Sequence, residues 1–337
     1  MRKSYEIDMC SGPLLSRILL FAIPLICSGV LQLVFNATDI IVVGRFVSSN
    51  AMAAVGSTSS LINLLVNFFI GISVGANVLV ARFRGANDFD DAQETVQTAL
   101  ITAVAGGFVL IALGILLARP MLVWMATPDE VIGQAVLYMR VYFIGMPATM
   151  LYNFGAAILR AVGDTRRPLY FLTLAGLVNV AGDLLFVLVL DMGVAGVAVA
   201  TVISQIISAT LIVLCLMRQD GMCNVNLRRM KFHRDKFLRI MQVGLPAGLQ
   251  SVIFNISNVL IQSSINSFGA TVVAGNTAAS NIEGFVYTSM NALYQTSLSF
   301  TSQNLGARQF GRIDKILVRC LALVFVIGLV LGNGAHL

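Results

Sequence analysis

Charge is the scarcest property of this sequence, because only 11% of its 337 residues are Asp, Glu, Lys or Arg. Soluble domains carry about 25%, so the chain has too little charge to cover a water-facing surface. With 57% hydrophobic residues and a mean hydropathy of +0.86, the composition excludes a soluble enzyme, an extracellular disulfide module and a disordered protein. It predicts an all-α polytopic membrane protein, since a hydrocarbon core of about 30 Å needs about 20 apolar residues per helical span.

Histidine and paired cysteine are also scarce. The two histidines, His233 and His336, and five cysteines without a CxxC pair predict neither a metal site nor a disulfide framework. An intramembrane hydrolase would need a nucleophile with a histidine base or an HExxH-like motif, and the first eight predicted spans contain no histidine. We therefore expect a protein that is not an enzyme and has no cofactor.

Continuous apolar runs predict nine membrane-spanning helices rather than the short alternating strands of a membrane barrel. The runs lie near residues 16–43, 53–81, 94–118, 131–159, 168–190, 193–217, 241–266, 274–303 and 316–335. Of the 22 Lys and Arg, 19 fall in the N-terminus and in every second connection. This bias predicts a cytoplasmic N-terminus, and because the net charge of +6 resides in these connections, we expect no nucleic-acid partner.

Two parts of the sequence resemble each other at a shift of about 221 residues. Pro24 in the first span matches Pro246 in the seventh, and Gly85 in a connection matches Gly306. Six predicted helices separate the copies, so both halves have the same orientation. Parallel repeats of this kind are a transporter architecture, with a cavity between two lobes.

The repeat predicts three parts of the chain. Residues 1–217 form an N-lobe of six helices, residues 218–239 form a cytoplasmic inter-lobe linker, and residues 240–337 form a partial C-lobe of about three helices. A six-helix C-lobe would need three more helices, and the sequence stops at Leu337 inside an apolar run. We therefore expect a C-terminally truncated chain.

Acidic and polar side chains inside apolar runs are the candidate functional residues, because ionisable groups there are costly and mark ion or substrate pathways. A rise of about 1.5 Å per residue puts Asp39 and Asp183 in the outer half of the bilayer. Asn179 precedes Asp183 by one helical turn, and Thr201 lies at a similar depth. Two nearby carboxylates in a poorly hydrated place cannot both stay charged, so these side chains predict a site for a proton or a hard cation. For the two neutral residues, hydrogen bonding between helices is the alternative.

Pro24 and Glu283 each allow more than one interpretation. Pro24 removes a backbone hydrogen bond inside the first span, which predicts either a static kink or a hinge. Glu283 is a counter-charge for a cationic substrate, a headgroup-region residue or a partner of Arg140.

Aromatic and methionine side chains suit the wall of a cavity for flat cations. For any one such residue, core packing or lipid contact is the more common role. The residues that we predict to line a substrate cavity are Phe35, Met150, Asn153, Phe154 and Glu283.

Together these residues resemble the multidrug and toxic compound extrusion (MATE) family, secondary transporters with two six-helix lobes. The resemblance rests on Pro24, the run from Asp39 to Gly44, the Arg84-Gly85-Ala86 connection and the loop from Arg160 to Pro168. It implies a MATE-like two-lobe helical bundle. NorM-like members have an acidic residue early in helix 7. In this chain the polar residues from Gln250 to Asn258 are all neutral.

Similarity to the DinF-like branch of the family implies specific roles. Asp39, Asn179, Asp183 and Thr201 would form the cation-coupling site for H+ or Na+, and Pro24 would be a hinge. The resemblance further implies a cation-coupled antiporter of the inner membrane that exports amphipathic, often cationic, organic molecules. We expect a monomer whose partners are this small-molecule substrate and the lipid bilayer.

The alternative within membrane transport is a flippase for lipid-linked oligosaccharides. Such a protein should have a basic cavity suited to pyrophosphate. Arg140 is the only base deep within a predicted span, since Arg17 and Arg319 lie in the first turn of theirs, which disfavours this alternative.

Overall fold

A computed structural model describes residues 5–125, 127–219, 221–226, 229–266 and 270–334. The helices are α1 (Leu14–Phe46), α2 (Ser49–Ala86), α3 (Phe89–Trp124), α4 (Asp129–Ile144), α5 (Met146–Ala161), α6 (Arg166–Leu184), α7 (Gly193–Met217), α8 (Arg234–Asn266), α9 (Ala270–Gly306) and α10 (Phe310–Gly334). A π-helical turn, Leu185–Val189, continues α6. The regular elements within these ranges are all helical, which confirms the predicted all-α polytopic class.

Seven helices of the described chain are long and apolar enough to cross a membrane: α1, α2, α3, α6 with its π-helical turn, α7, the first part of α8, and α10. The segment predicted as one span at 131–159 is not one continuous helix: α4 and α5 together are long and apolar enough to cross a membrane, but they meet with a bend of 51°. Pro147 in the first turn of α5 explains the break, since proline has no amide to bond to the carbonyl four residues earlier and its ring clashes with that carbonyl. The span predicted at 274–303 is helical within α9 but is not among the seven.

One face of the bundle carries the N-terminus and the connections that follow α2, α5, α7 and α9. Glu6 draws two of these ends together, because it bonds to Arg84 near the end of α2 and to Gln219 just after α7. We call this the basic face, since most of the Lys and Arg that the structure describes lie on it. The described residues of the predicted linker 218–239 belong to it, although α8 already begins at Arg234. The division into lobes at this linker stays a prediction.

Helix α2 is central to the bundle and packs along both α8 and α9. A Cβ atom added to Gly71 would lie 2.3 Å from the Cα of Gly248, and one added to Gly75 would lie 2.2 Å from the carbonyl oxygen of Ile240. Small residues of this kind let helix backbones approach closely in membrane proteins. The contact between α2 and α8 is therefore made backbone to backbone.

The repeated connection has the same backbone geometry in both copies. Asn87 after α2 and Arg308 after α9 are left-handed, with φ angles of 56° and 57°. In each copy the next amide donates to the carbonyl five residues before it, at 3.0 Å in the first copy and 2.8 Å in the second. This bond is typical of the Schellman helix ending.

The two copies also contact each other. A Cβ atom at Gly85 would lie 1.9 Å from the carbonyl oxygen of Gln303, and one at Gly306 would lie 1.9 Å from that of Arg82. Because Arg82 and Gln303 are equivalent positions of the repeat, the contact is reciprocal, as at a two-fold axis. The ends of α2 and α9 therefore meet at the centre of the basic face.

Replacement of Gly71 by alanine should destabilise the bundle, because the new methyl group would overlap the backbone of α8. Overpacking of this kind costs about 1–3 kcal/mol, so we expect a lower midpoint of thermal unfolding in detergent. Gly56→Ala in the same helix is the matched control, since nothing lies within 4 Å of its added Cβ. Equal midpoints for the two variants would contradict the proposed backbone contact.

Candidate functional site

Four polar side chains from three helices lie buried inside the bundle. Asp39 comes from the last turns of α1, Asn179 and Asp183 from α6, and Thr201 from α7. Their exposed fractions are 8%, 5%, 0% and 9%, respectively. The structure thus buries all four residues of the predicted cation site inside the bundle.

The two carboxyl groups of this site interact directly. Asp39 and Asp183 lie within hydrogen-bonding reach of each other. Among the described residues, no donor reaches Oδ1 of Asp39 or either oxygen of Asp183. A buried carboxylate without a donor is costly, and two of them side by side repel each other. One proton or one small cation between the two groups would remove both costs.

The neutral pair of the site connects α6 to α7. The Asn179 amide donates to the Thr201 hydroxyl at 3.4 Å, and that hydroxyl donates to the carbonyl of Val197 at 2.9 Å. The oxygen atoms of Asn179 and Thr201 are of the neutral kind that hard cations accept as ligands. The hydrogen bond between helices, given above as the alternative role, is therefore present beside the acids.

A second pair of side chains, which the sequence interpretation missed, comes from α4. Tyr138 lies close enough to interact electrostatically with both acids, and Tyr142 with Asp39. Their rings stack with centroids 5.9 Å apart. The spacing of four residues places both on one helix face, but that spacing alone cannot distinguish a site wall from ordinary packing.

The helix that carries Asp183 changes its geometry immediately after the site. In the π-helical turn the amide of Leu190 donates to the carbonyl of Leu185, five residues earlier, at 3.1 Å. The sequence predicts a continuous span at 168–190 and does not reveal this turn. π-helical turns occur frequently at functional sites, and this one widens α6 two residues beyond the buried acid.

Close packing fixes α1 against α6 beside the acids. The half-buried ring of Phe35 rests on Gly176, where an added Cβ would lie only 1.9 Å from the ring. Pro24 lies inside α1 and is buried, and its carbonyl accepts a hydrogen bond from Ser28 at 2.8 Å. Because the Phe35 ring of α1 fills the space next to Gly176 of α6, α1 has little room to slide along α6.

The other residues predicted to line a cavity lie in different surroundings. Met150 and Phe154 have no exposed surface and belong to the main hydrophobic core, so neither lines an open cavity in this conformation. Asn153 is half-buried and donates to the carbonyl of Thr149 at 2.9 Å. Glu283 is exposed on α9. Their part in substrate binding stays a prediction.

Comparison with known proteins finds the same fold. The sequence model of the MatE family matches residues 24–185 and 246–333. The probable multidrug resistance protein YoeA of Bacillus subtilis is 30% identical to the chain over 321 residues, which cover 93% of the chain and 69% of YoeA.

Solved structures agree with this match. A structure of MATE in the bent conformation is 25% identical, with a TM-score of 0.87, over 93% of this chain and 70% of that one. The outward-facing conformation of a multidrug resistance MATE family transporter is 24% identical, with a TM-score of 0.90, over 98% of this chain and 73% of that one.

Replacement of Thr201 by valine should leave the buried Asn179 amide without its acceptor. An unsatisfied buried donor costs about 1–3 kcal/mol, so we expect a lower midpoint of thermal unfolding. Thr210→Val is the matched control, because Thr210 makes the same type of bond within α7, to Ile206 at 2.7 Å, but is exposed. If Thr210→Val destabilises the protein as much, the bond between Asn179 and Thr201 has no special weight.

Proposed function

The chain belongs to the MatE family, and from that premise we propose that it is a cation-coupled antiporter that exports amphipathic, often cationic, organic molecules. A single observation carries the proposal: Asp39 and Asp183 are buried together, with oxygens that no described donor satisfies. Such a pair has a strong need for one proton or one Na+, and it holds either only while the bundle keeps the two helices together. The similarity to YoeA, a probable multidrug resistance protein, is consistent with this substrate class.

Coupling requires only that cation and substrate favour different conformations. With a proton or Na+ at the acids, repulsion between them is removed and α1 can close against α6. Without it, two negative charges at hydrogen-bonding reach push α1 and α6 apart. Occupancy of the site therefore favours one arrangement of these helices, and the substrate binds the other.

Bending of α1 at Pro24 is the proposed motion that follows. Pro24 lacks the amide that would complete the helix, so the hydrogen bonds there resist bending less than elsewhere in α1. Asp39 lies 15 residues beyond it in the same helix. A bend at Pro24 moves Asp39 relative to α6, and alternating access then follows by rocking of the two halves.

The proposal also includes the orientation of the chain in the membrane, its branch of the family, its coupling ion and its oligomeric state. We place the basic face in the cytoplasm, because basic connections stay on that side of the inner membrane. We assign the chain to the DinF-like branch of the family, an assignment supported by the set Asp39, Asn179, Asp183 and Thr201. The coupling ion is H+ or Na+, no other cofactor takes part, and the transporter acts as a monomer.

Asp183→Asn should abolish gradient-driven export while the protein still folds. The amide keeps the size of the side chain, but it removes the charge that makes one cation necessary. The measurement is uptake of a fluorescent organic cation into everted vesicles under an imposed proton or sodium gradient. We expect uptake to fall to the level of vesicles without the protein.

Asp191→Asn is the matched control for this experiment. Asp191 is exposed, lies beyond the π-helical turn and has a φ angle of 49°, a conformation that asparagine tolerates. It should retain parental uptake. Gradient-dependent uptake at the parental rate in Asp183→Asn would refute the assigned coupling site.

Pro24→Ala tests the hinge. Alanine restores a backbone amide that can complete the helix, so α1 should bend less readily and export should fall several-fold, with the fold retained. Pro120→Ala is the matched control, because Pro120 also lies inside a long helix, α3, but is exposed and distant from α1. Equal export by the two variants would show that Pro24 is only a static kink.

A further inference from the structure

We propose that the N-terminal segment, residues 5–12, is a gate that holds the two halves of the transporter together on the basic face and detaches when that face opens. The inference rests on the proposed alternating access. It concerns residues that lie outside the helices and far from the cation site. The geometry points to it because this short segment is anchored to both halves of the chain at once.

The first half of the chain, α1 to α7, binds the beginning of the segment. Glu6 accepts hydrogen bonds from Arg84 of α2 at 3.2 Å and from Gln219 after α7 at 2.7 Å. The amide of Ile7 donates to the carbonyl of Gly163, in the loop after α5, at 3.1 Å. Gly163 has a φ angle of 97°, and a Cβ there would lie 2.3 Å from the Ile7 carbonyl oxygen. The segment is thus seated on a surface that only glycine permits.

The second half of the chain, α8 to α10, binds the end of the segment. Met9 has no exposed surface and packs with Phe300 of α9 and Ile316 of α10. Its carbonyl accepts a hydrogen bond from Asn304 at 3.1 Å. Arg312 of α10 donates to three successive parts of the segment, the carbonyls of residues 9, 11 and 12, at 3.4, 3.0 and 3.2 Å.

A turn inside the segment keeps these two sets of contacts apart. The Asp8 carboxylate accepts hydrogen bonds from the amide of Cys10, at 2.9 Å, and from the hydroxyl of Ser11, and it pairs with Arg17 at 3.6 Å. Burial acts to raise the pKa of Asp8, but these partners hold it below the usual value. The Asp8 carboxylate is therefore charged at neutral pH and keeps the hydrogen bonds that form the turn.

The position of the segment makes it a gate rather than a simple tail. It borders a cleft of about 930 Å³ on the basic face, whose other walls include the ends of α2 and α9. Gly85 and Gly306, which form the reciprocal contact of the two halves, line the same cleft. If the halves rock apart on this face, a segment of eight residues cannot keep Glu6 on α2 and Met9 on α9 and α10. One anchor must be released.

The anchors are also of a kind that can be broken and remade. They consist mainly of hydrogen bonds and ion pairs at the surface, with Met9 as the buried apolar contact. Each partly exposed polar contact contributes only modestly to stability, because water competes for the same donors and acceptors. Loss of one anchor should therefore shift the balance between closed and open forms by about tenfold or more.

The test is a measurement of opening that needs no transport. Ser299 is 1% exposed and donates to Asn77 across the contact between α9 and α2, at 3.1 Å. A Ser299→Cys reporter, in a chain whose native cysteines are replaced, should react with a polar maleimide only when α2 and α9 separate. Labelling rates are measured on the whole chain in nanodiscs, where both faces are accessible.

Release of either anchor should expose the reporter. Glu6→Ala and Arg312→Ala should each raise the labelling rate about tenfold. The matched controls are Asp90→Ala, an exposed acid at the start of α3, and Arg319→Ala, an exposed base of α10, which should stay within about twofold of the parent. The exchange variant Glu6→Arg with Arg84→Glu should restore slow labelling.

Unchanged labelling in both anchor variants would overturn the gate. So would a lower unfolding midpoint without faster labelling, because that result assigns the contacts to stability alone. If Glu6→Ala does not fold, Arg312→Ala tests the opposite anchor on its own. A chain that labels as expected but does not export would retain the gate and refute the antiporter, whereas normal export with unaltered labelling would do the reverse.

Discussion

The structure depends on an unfavourable interaction, the burial of two carboxylates inside an apolar helix bundle. Asp39 and Asp183 lie within reach of each other, and most of their oxygens have no donor among the described residues. A protein selected only for stability would replace such a pair with packed hydrocarbon, since buried charges rarely add net stability. The neighbourhood of tyrosine, asparagine and threonine instead keeps the pair polar but incompletely satisfied. Under the proposed function, that incomplete satisfaction would make the energy of the bundle sensitive to one cation.

Close backbone packing determines which parts can respond. Glycines let α2 meet α8 and α9 without intervening side chains, so this central contact has few side chains to rearrange. Packed cores are bistable rather than continuously deformable, and a contact of this type is expected to open as a unit. The reciprocal contact of Gly85 and Gly306 is the point at which two similar halves can separate symmetrically. The glycine contacts therefore favour rigid rocking over local distortion.

The sequence predicts the architecture well and the local geometry less well. Composition, charge bias and the repeat suffice for the all-helical class and for the parallel halves, because bilayer thickness and loop charge act through simple counts. Asp39 and Asp183 stand out for the same reason, as acids in apolar runs. The bend between α4 and α5 escapes prediction although Pro147 lies at it, because Pro24 and Pro120 lie inside continuous helices and a proline in an apolar run does not by itself distinguish a break from a kink. The π-helical turn escapes prediction because the apolar run around it has the same composition as an α-helical span. Tyr138 is missed because its significance lies in distance to the acids, which no spacing within α4 reveals.

The cation site and the N-terminal segment are connected through a single element. Helix α1 begins at Leu14, immediately after the segment, and carries Asp39 in its last turns. At about 1.5 Å per residue, roughly 37 Å separates these two points, and Pro24 lies between them. The part of α1 before Pro24 packs through Ile18 and Phe21 with α9 and α10, whereas the part beyond it packs on α6 through Phe35. One helix is thus bound to opposite halves of the chain on either side of its weakest point, and a bend there changes the strain on both ends. A cation at the proposed site would therefore influence the proposed gate at the other end of α1 without any continuous path of side chains between them.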